Sequence, residues 1–218
     1  MEREERQIRQ AMLDTCRAME TKGLNQGTSG NLSVRHGEGL LITPSGIAYD
    51  HMAPHDVVQM DWEGCFSADH RPSSEWRFHR DLLAARSDAD VVLHCHSTYA
   101  TALACHERGL PPFHYMVAVA GGHDIRVSRY AGFGTQALSD ALIAAIEGRQ
   151  ACLLAHHGLV TIAKSLDRAL WLAVEVETLA KMYLHALVLG EPPHLSIEEM
   201  AATLEKMRRM SYGMDPIA

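Results

Sequence analysis

The sequence predicts a single layered α/β domain, and three observations carry that reading. Segments with apolar residues at every second position are interleaved with segments of helical period. The 218 residues give ample length for one core and suit one large domain. No internal repeat, low-complexity tract or linker divides the chain. Strands alternating with helices along an undivided chain fold into stacked layers around one core.

Taken in order, "EREERQIRQAMLDTCRAMETKGL" spaces Ile8, Met12, Cys16 and Met19 at helical intervals and closes near Gly23. "GNLSVRHGEGLLITPSG" reads as two short strands around the turn "HGEG". "VVQMDWEG" is a third strand running into a turn. "SSEWRFHRDLLAARSDA" opens on serines after Pro72 and turns helical, with Trp76, Leu82 and Leu83 as its apolar contacts. "DVVLHCHS" reads as a strand, and "STYATALACHERG" as a helix closed by Gly109. "GTQALSDALIAAIEGR" is a helix and "QACLLAHHGLVTIA" a buried strand pair. "SLDRALWLAVEVETLAKMYLHALVLG" is a long helix, with Ser165 as its N-cap and Gly190 just past its end. One more helix, "SIEEMAATLEKMRRM", precedes "SYGMDPIA".

Composition narrows the function. A net charge of −7 argues against non-specific binding to nucleic acid. The five cysteines are odd in number, widely spread and free of a CxxC pair, which reads as reduced thiols and not a disulfide framework. The start, "MEREERQIRQ", is charged with no apolar signal core behind it, and no apolar run reaches the eighteen or so residues of a membrane span. The expectation is a cytoplasmic protein with no membrane partner.

The chemistry concentrates in "VVLHCHS". On a strand, a period of two turns His94 and His96 to one face and Cys95 to the other. Two imidazoles on one face are half of a metal site. "LLAHHGLV" offers a third, from His156 or His157, beside Gly158, where the backbone can turn sharply. Three imidazoles favour zinc and related transition metals, whereas magnesium and calcium prefer oxygen. The same pattern also fits core histidines bonded to backbone carbonyls. Glu75, read in the first turn of its helix, is either a dipole partner or the carboxylate that such a site needs as ligand or general base. "GTSGN", "TPSG" and "SSE" together offer hydroxyls, backbone N–H groups and a helix N-terminus, which suits a phosphate held by neutral donors. No Walker loop or GxGxxG accompanies them, so the phosphate belongs to a substrate and not to a nucleotide.

With these residues assembled, the chain resembles the class II aldolase/epimerase (aldolase II/adducin head) family over nearly its whole length. The segments that carry the resemblance are "GLNQGTSGNLSVR", "LLITPSGIAYD", "PSSEWRFHRDLL", "HCHSTYATA", "HYMVAVAGG", "LLAHHGL" and "ALWLAVEVETLAKMYLHAL". The resemblance implies one three-layer domain over residues 1–218, a central mostly antiparallel sheet flanked by helices, and a mobile tail from about residue 208. It also implies a homotetramer with sites at subunit interfaces. His94, His96 and His157 match zinc ligands, one ion per subunit, with other divalent transition metals as substitutes. Glu75 matches a carboxylate that ligates the metal and shuttles a proton. Thr28, Gly30, Asn31, Ser45, Gly46, Ser73 and Ser74 match phosphate-binding positions. Tyr115 matches a catalytic tyrosine that reaches a neighbouring subunit's site, and Phe133 and Tyr212 match aromatics over the aldehyde end. Ser45 stands where a threonine is also found, and the tail "GMDPIA" departs from the family pattern, so a lid does not carry over.

The activity so implied is reversible cleavage of a ketose 1-phosphate to dihydroxyacetone phosphate and a short aldehyde. L-fuculose 1-phosphate, 5-deoxyribulose 1-phosphate and 5-methylthioribulose 1-phosphate all fit, the latter two in methionine and nucleoside salvage. A Schiff-base route is disfavoured, because Lys22, Lys164, Lys181 and Lys206 all lie outside apolar strands. Within the family, a methylthioribulose-1-phosphate dehydratase or a pentulose-phosphate 4-epimerase is the alternative. The epimerases carry an aspartate in the segment matching "PPFHYMVAVAGG", which here has no acidic residue. A non-catalytic, adducin-like interaction domain need not keep the three histidines and the glutamate, all of which are present.

Overall fold

The computed structural model describes residues 3–66 and 69–212. Its centre is a seven-stranded sheet of β1 (Asn31–His36), β2 (Gly39–Ile42), β3 (Val58–Asp61), β4 (Val91–Cys95), β5 (Val127–Ser128), β6 (Ala151–Leu154) and β7 (Gly158–Ala163), in the order β3-β2-β1-β4-β7-β6-β5. Every neighbouring pair is antiparallel except β5 with β6.

Helices cover both faces. The alternation of side chains along each strand divides the core accordingly. Val91, Leu93 and Cys95 of β4 pack on one side, with α1 (Arg3–Thr21), α3 (Thr98–Cys105), α5 (Leu166–Ala186) and α6 (Ile197–Arg209). Val92 of β4 packs on the other, with α2 (Trp76–Ala85) and α4 (Gln136–Ile146). The expected layering and sheet are therefore present. The same alternation brings Asn31 and Ser33 of β1 and His94 of β4 to the α2 side, since Leu32 and Leu93 between them face the opposite one.

The expected elements all form, with three local differences. The helix expected to run to Gly109 stops at Cys105, and Glu107 rather than a glycine takes the left-handed turn, at φ 49°. Gly109 instead lies against the backbone of Ile125, whose oxygen would sit 2.4 Å from an added Cβ, and Leu110 pairs with Ile125 in an isolated bridge. The serines at 73 and 74 do not cap α2; Glu75 itself stands at the N-cap position, one residue before the expected first turn, and makes no side-chain cap bond. The short β5 and a 3-10 turn over Tyr115–Ala120 were not anticipated.

Two anchors hold the backbone around β4. Glu177 of α5 accepts from the N–H groups of Tyr99 and Ala100, both at 2.9 Å, and so caps α3, whose own N-cap Ser97 makes no such bond. Asn25 accepts from the His96 N–H at 3.0 Å. The expected mobile tail begins at the end of α6, and residues 213–218 lie outside the described residues.

Candidate metal centre and substrate cavity

Four side chains converge where β4, β7 and the start of α2 meet. His94 is buried, His157 half-buried and His96 open to a cavity. One ligand nitrogen from each lies within 4.8 Å of the others. His94 Nε2 is 3.0 Å from His96 Nε2 and 3.2 Å from Glu75 Oε2, and His157 Nε2 is 3.3 Å from Glu75 Oε1.

The backbone settles how His94 is turned. Its Nδ1 lies 3.0 Å from the Leu159 carbonyl oxygen, which can only accept, so Nδ1 donates there and Nε2 is the nitrogen turned to the cluster. A bond from the remote nitrogen to a backbone carbonyl is how metal-bound imidazoles are usually oriented. Burial, then the neighbouring His94, lowers His157 to about 4, so its ring is neutral at pH 7 and able to ligate. Burial raises the Glu75 carboxyl, but His94, His157 and the Asn31 amide together outweigh it and hold the group well below the usual carboxylate range. The buried Glu75 Oε1 has no hydrogen-bond partner among the described residues. Imidazole nitrogens aimed at one another beside an orphaned carboxylate oxygen leave an arrangement that a shared cation satisfies. The residues present therefore fit a divalent transition metal.

Gly158 contributes differently from the expected sharp turn. A Cβ there would lie 2.4 Å from the Cys95 carbonyl oxygen and 3.0 Å from the His96 ring, so glycine permits close approach of β7 to β4. The turn is made at His156, a non-glycine residue at φ 54°, which sends its own ring outward to Glu107 at 3.3 Å and points His157 inward. Such a left-handed residue beside a candidate ligand is strain kept by its surroundings.

Glu75, His96 and His157 of the cluster form the floor of a cavity of about 360 Å³, with His94 buried beside them. Its walls include Thr28, Ser29, Gly30 and Asn31, then Ser45 and Gly46, then Ser73 and Ser74. All seven residues matched to phosphate binding thus surround one space. Among the described residues no lysine or arginine lines it, and Glu75 is the one carboxylate that does. The Asn31 side chain is committed elsewhere, to Glu75 Oε2 at 3.0 Å and to His79 at 2.5 Å. Gly30 lies so close to Asn25 that an added Cβ would meet the amide at 2.1 Å, which ties this wall to the Asn25 anchor on His96.

The aromatic residues separate. Phe133 lines the cavity mouth, 73% exposed, together with Tyr130, Ala131 and His156. Tyr115 and Tyr212 do not line it and instead share a surface groove with Thr203, Lys206, Met207 and Met210. Sequence reasoning missed Asn25, Ser33, His79 and Tyr130, and left His156 and His157 as alternatives on pattern alone. The signal for His79 was available, since Glu75 and His79 are four apart and so share a helix face. Ser33 was equally legible, two residues past Asn31 on a strand.

Comparison with known proteins gives a consistent neighbourhood. Residues 10–184 match the Class II Aldolase and Adducin N-terminal domain family. The chain is 52% identical over 206 residues to a 5-methylthioribulose-1-phosphate/5-deoxyribulose-1-phosphate aldolase of Rhodospirillum rubrum, covering 94% of this chain and 92% of that one. It is 45% identical over 212 residues to an L-fuculose phosphate aldolase of Escherichia coli, covering 97% and 98%. Among solved structures, an L-fuculose 1-phosphate aldolase superposes with a TM-score of 0.90 at 41% identity, covering 93% of this chain and 96% of that one.

Proposed function

The chain belongs to the class II aldolase and adducin family, and on that premise we propose that it is a lyase cleaving a ketose 1-phosphate to dihydroxyacetone phosphate and a short aldehyde. The observation that carries this reading is the meeting of three imidazoles and a buried carboxylate at the floor of a cavity walled by hydroxyls and glycines. His94, His96 and His157, with Glu75, would hold the metal, zinc first and other divalent transition metals as substitutes. Such an ion, when bound, supplies a Lewis acid for the charge that develops on the substrate's carbonyl oxygen.

The remaining steps belong to the chain's own residues. Thr28, Gly30, Ser45, Gly46, Ser73 and Ser74 hold the phosphate through hydroxyls and backbone N–H groups, with the Asn31 backbone beside them. This fixes C3 over Glu75. Placement matters, because a displacement of about 1 Å costs on the order of a hundredfold in rate. Breaking the C3–C4 bond leaves its electron pair on C3, which must then take a proton. Glu75, the only carboxylate among the described residues lining the cavity, removes that proton in condensation; in cleavage it first takes up a proton from solvent and then delivers it to C3. Its low-lying carboxyl keeps it as the base at neutral pH, the form that condensation needs.

The C4 hydroxyl must lose its proton as the bond breaks, and we assign to Tyr115 of an adjacent copy the relay of that proton to solvent, its hydroxyl passing one proton on as it takes the other. Tyr115 is 51% exposed and outside its own chain's cavity, which supports a shared site in a homotetramer. Phe133, with Tyr130 and Ala131, faces the aldehyde end, and Tyr212 would join it from a neighbouring copy. A mouth of aromatic and methyl groups suits an aldehyde without a hydroxyl, and the relative at 52% identity is named for such substrates. We therefore assign 5-deoxyribulose and 5-methylthioribulose 1-phosphates ahead of L-fuculose 1-phosphate, in a cytoplasmic salvage role. No helix among the described residues is long and apolar enough to cross a membrane.

The test is a cleavage assay on metal-loaded protein with all three phosphates, ranked by kcat/KM, beside a chelated control. Dihydroxyacetone phosphate released only with metal, and fastest from the two deoxy substrates, is the expected result. Release unaffected by chelation would end the metal assignment, and preference for L-fuculose 1-phosphate would overturn the substrate assignment.

A further inference from the structure

Beneath the cavity floor, Glu75 is the end of a chain of hydrogen bonds that the reaction just described does not use. Asn31 Nδ2 lies 3.0 Å from Glu75 Oε2, Asn31 Oδ1 lies 2.5 Å from His79 Nε2, and His79 Nδ1 lies 2.7 Å from Ser33 Oγ. All four residues are buried, Ser33 and His79 with no accessible surface. His79 stacks on Phe78 with ring centroids 4.6 Å apart, which fixes its plane.

The direction of every bond follows from one fact, that a carboxylate only accepts. Glu75 must therefore receive a proton from the Asn31 amide nitrogen, so Asn31 turns its carbonyl oxygen to His79. That oxygen also only accepts, so His79 carries its proton on Nε2. A neutral imidazole has one donor and one acceptor, and burial keeps this ring neutral, its pKa lowered to about 3. Nδ1 is then the acceptor, and Ser33 donates to it. The chain reads Ser33 to His79 to Asn31 to Glu75, each group donating to the next.

An amide can flip, and a flipped Asn31 would present an oxygen to the carboxylate. Such a flip is opposed at both ends, since it would set an oxygen against the Glu75 carboxylate and, with His79 in this tautomer, Asn31 Nδ2 against its Nε2–H. We propose that His79 is a positioning residue for Glu75: acting through Asn31, it pins one carboxylate oxygen and leaves the other free for proton transfer. Oε2 is the pinned oxygen, while Oε1 is the one without a hydrogen-bond partner. The role rests on the aldolase reading for its effect on turnover, but not for the tautomer it requires.

Two measurements test it. The first needs no substrate: ¹⁵N-histidine-labelled protein is examined by magic-angle-spinning NMR, with the His79 signals identified by their loss in His79→Gln. The expected state at pH 7 is neutral with the proton on Nε2; a proton on Nδ1 overturns the proposal. The second compares His79→Phe with His79→Gln, whose terminal amide can still donate to Asn31. Hydrogen exchange at C3 of dihydroxyacetone phosphate, KM and bound metal are measured for each. In His79→Phe, kcat for exchange should fall about ten- to a hundredfold with KM and metal content kept, the usual weight of an orienting partner. His79→Gln should recover most of it. Wild-type exchange in His79→Phe, or equal losses in both variants, overturns the proposal. A wild-type protein that neither exchanges nor cleaves would refute the aldolase reading instead, and the tautomer would then decide the relay alone.

Discussion

The floor and the rim of the cavity are built from different parts of the molecule. The floor hangs on β1, β4, β7 and the start of α2, and three of its four groups are held by a second one: His94 by Leu159, Glu75 by Asn31, and the His96 backbone by Asn25. The rim is made of loop aromatics, Tyr130 at 65% and Phe133 at 73% exposure, with Tyr115 and Tyr212 displaced to a separate groove. Chemistry common to many substrates needs the rigid part. On the proposed reading, choice among aldehydes would fall to the exposed one, which is where variation costs the fold least.

The sharpest test of this division is Glu75→Gln. The amide keeps the shape but cannot take up a proton, so C3 exchange should fall by about 10²- to 10⁴-fold, the range for a positioned acid–base group. Bound metal, measured by elemental analysis, should persist because three imidazoles remain. Retained exchange would remove Glu75 from the chemistry and leave the floor a metal site only.

Acid should break the floor before the rim. His79 and His157 are held below their ordinary 6.5, at about 3 and about 4. Between the folded and unfolded values the unfolded chain binds more protons, so stability is intact above about pH 6.5 and falls as pH drops below it. The fully buried His79 alone sets a slope of up to about 1.4 kcal/mol per pH unit in that window. Glu75, held low, adds a loss in the same direction once pH falls below its ordinary 4.5. Urea unfolding of chelated protein at pH 7, 6 and 5 should show the decline, and His79→Gln should flatten it. Metal should offset it, since binding to the folded state alone adds stability. A flat profile in the wild type would mean that these imidazoles take up protons in the fold as readily as in the unfolded chain.

Phe133→Ala addresses the rim. Stability should change little, because most of the ring is already in water. Discrimination between 5-methylthio and 5-deoxy substrates should shift by about ten- to a hundredfold, the worth of one or two apolar contacts. Exchange at C3 of dihydroxyacetone phosphate should not move. A parallel loss in both assays would show that the rim also shapes the floor.

How much of this was legible follows the same division. The strand pair around "HGEG", the HCH spacing and the long helix after Ser165 are local patterns, and they formed where the periodicity put them. His94 and His96 shared a face because strand geometry demands it. Gly158 was misread, since its reason is a carbonyl of another strand 2.4 Å from where a Cβ would stand. Gly109 was misread for the same reason. His156 and His157 are equivalent in sequence, and only the left-handed turn at the first separates the outward ring from the inward one. The two-residue β5 and the 3-10 turn at Tyr115 carry too few residues for a period to register. Contacts between distant segments leave no periodic trace, and the orienting groups of the floor are of that kind.

Tyr212 gives the smallest effect and the finest test. In its own chain the ring meets Trp171 edge-on, centroids 6.4 Å apart, and its N–H donates to the Met207 carbonyl at 2.9 Å. At 44% exposure such a contact is worth about 1 kcal/mol at most. Tyr212→Ala should therefore lower the melting temperature only slightly. If the ring also closes over an aldehyde in a neighbouring copy, cleavage should slow by about two- to tenfold, the same energy expressed as a rate. Exchange at C3, which involves no aldehyde, should be unaffected. Measuring both rates against protein concentration separates the two settings, since a contribution across copies disappears when the assembly dissociates, while a contact with Trp171 does not. Loss of cleavage confined to the assembled state would place Tyr212 on the rim with Phe133, and a change in stability alone would return it to the helix it packs on.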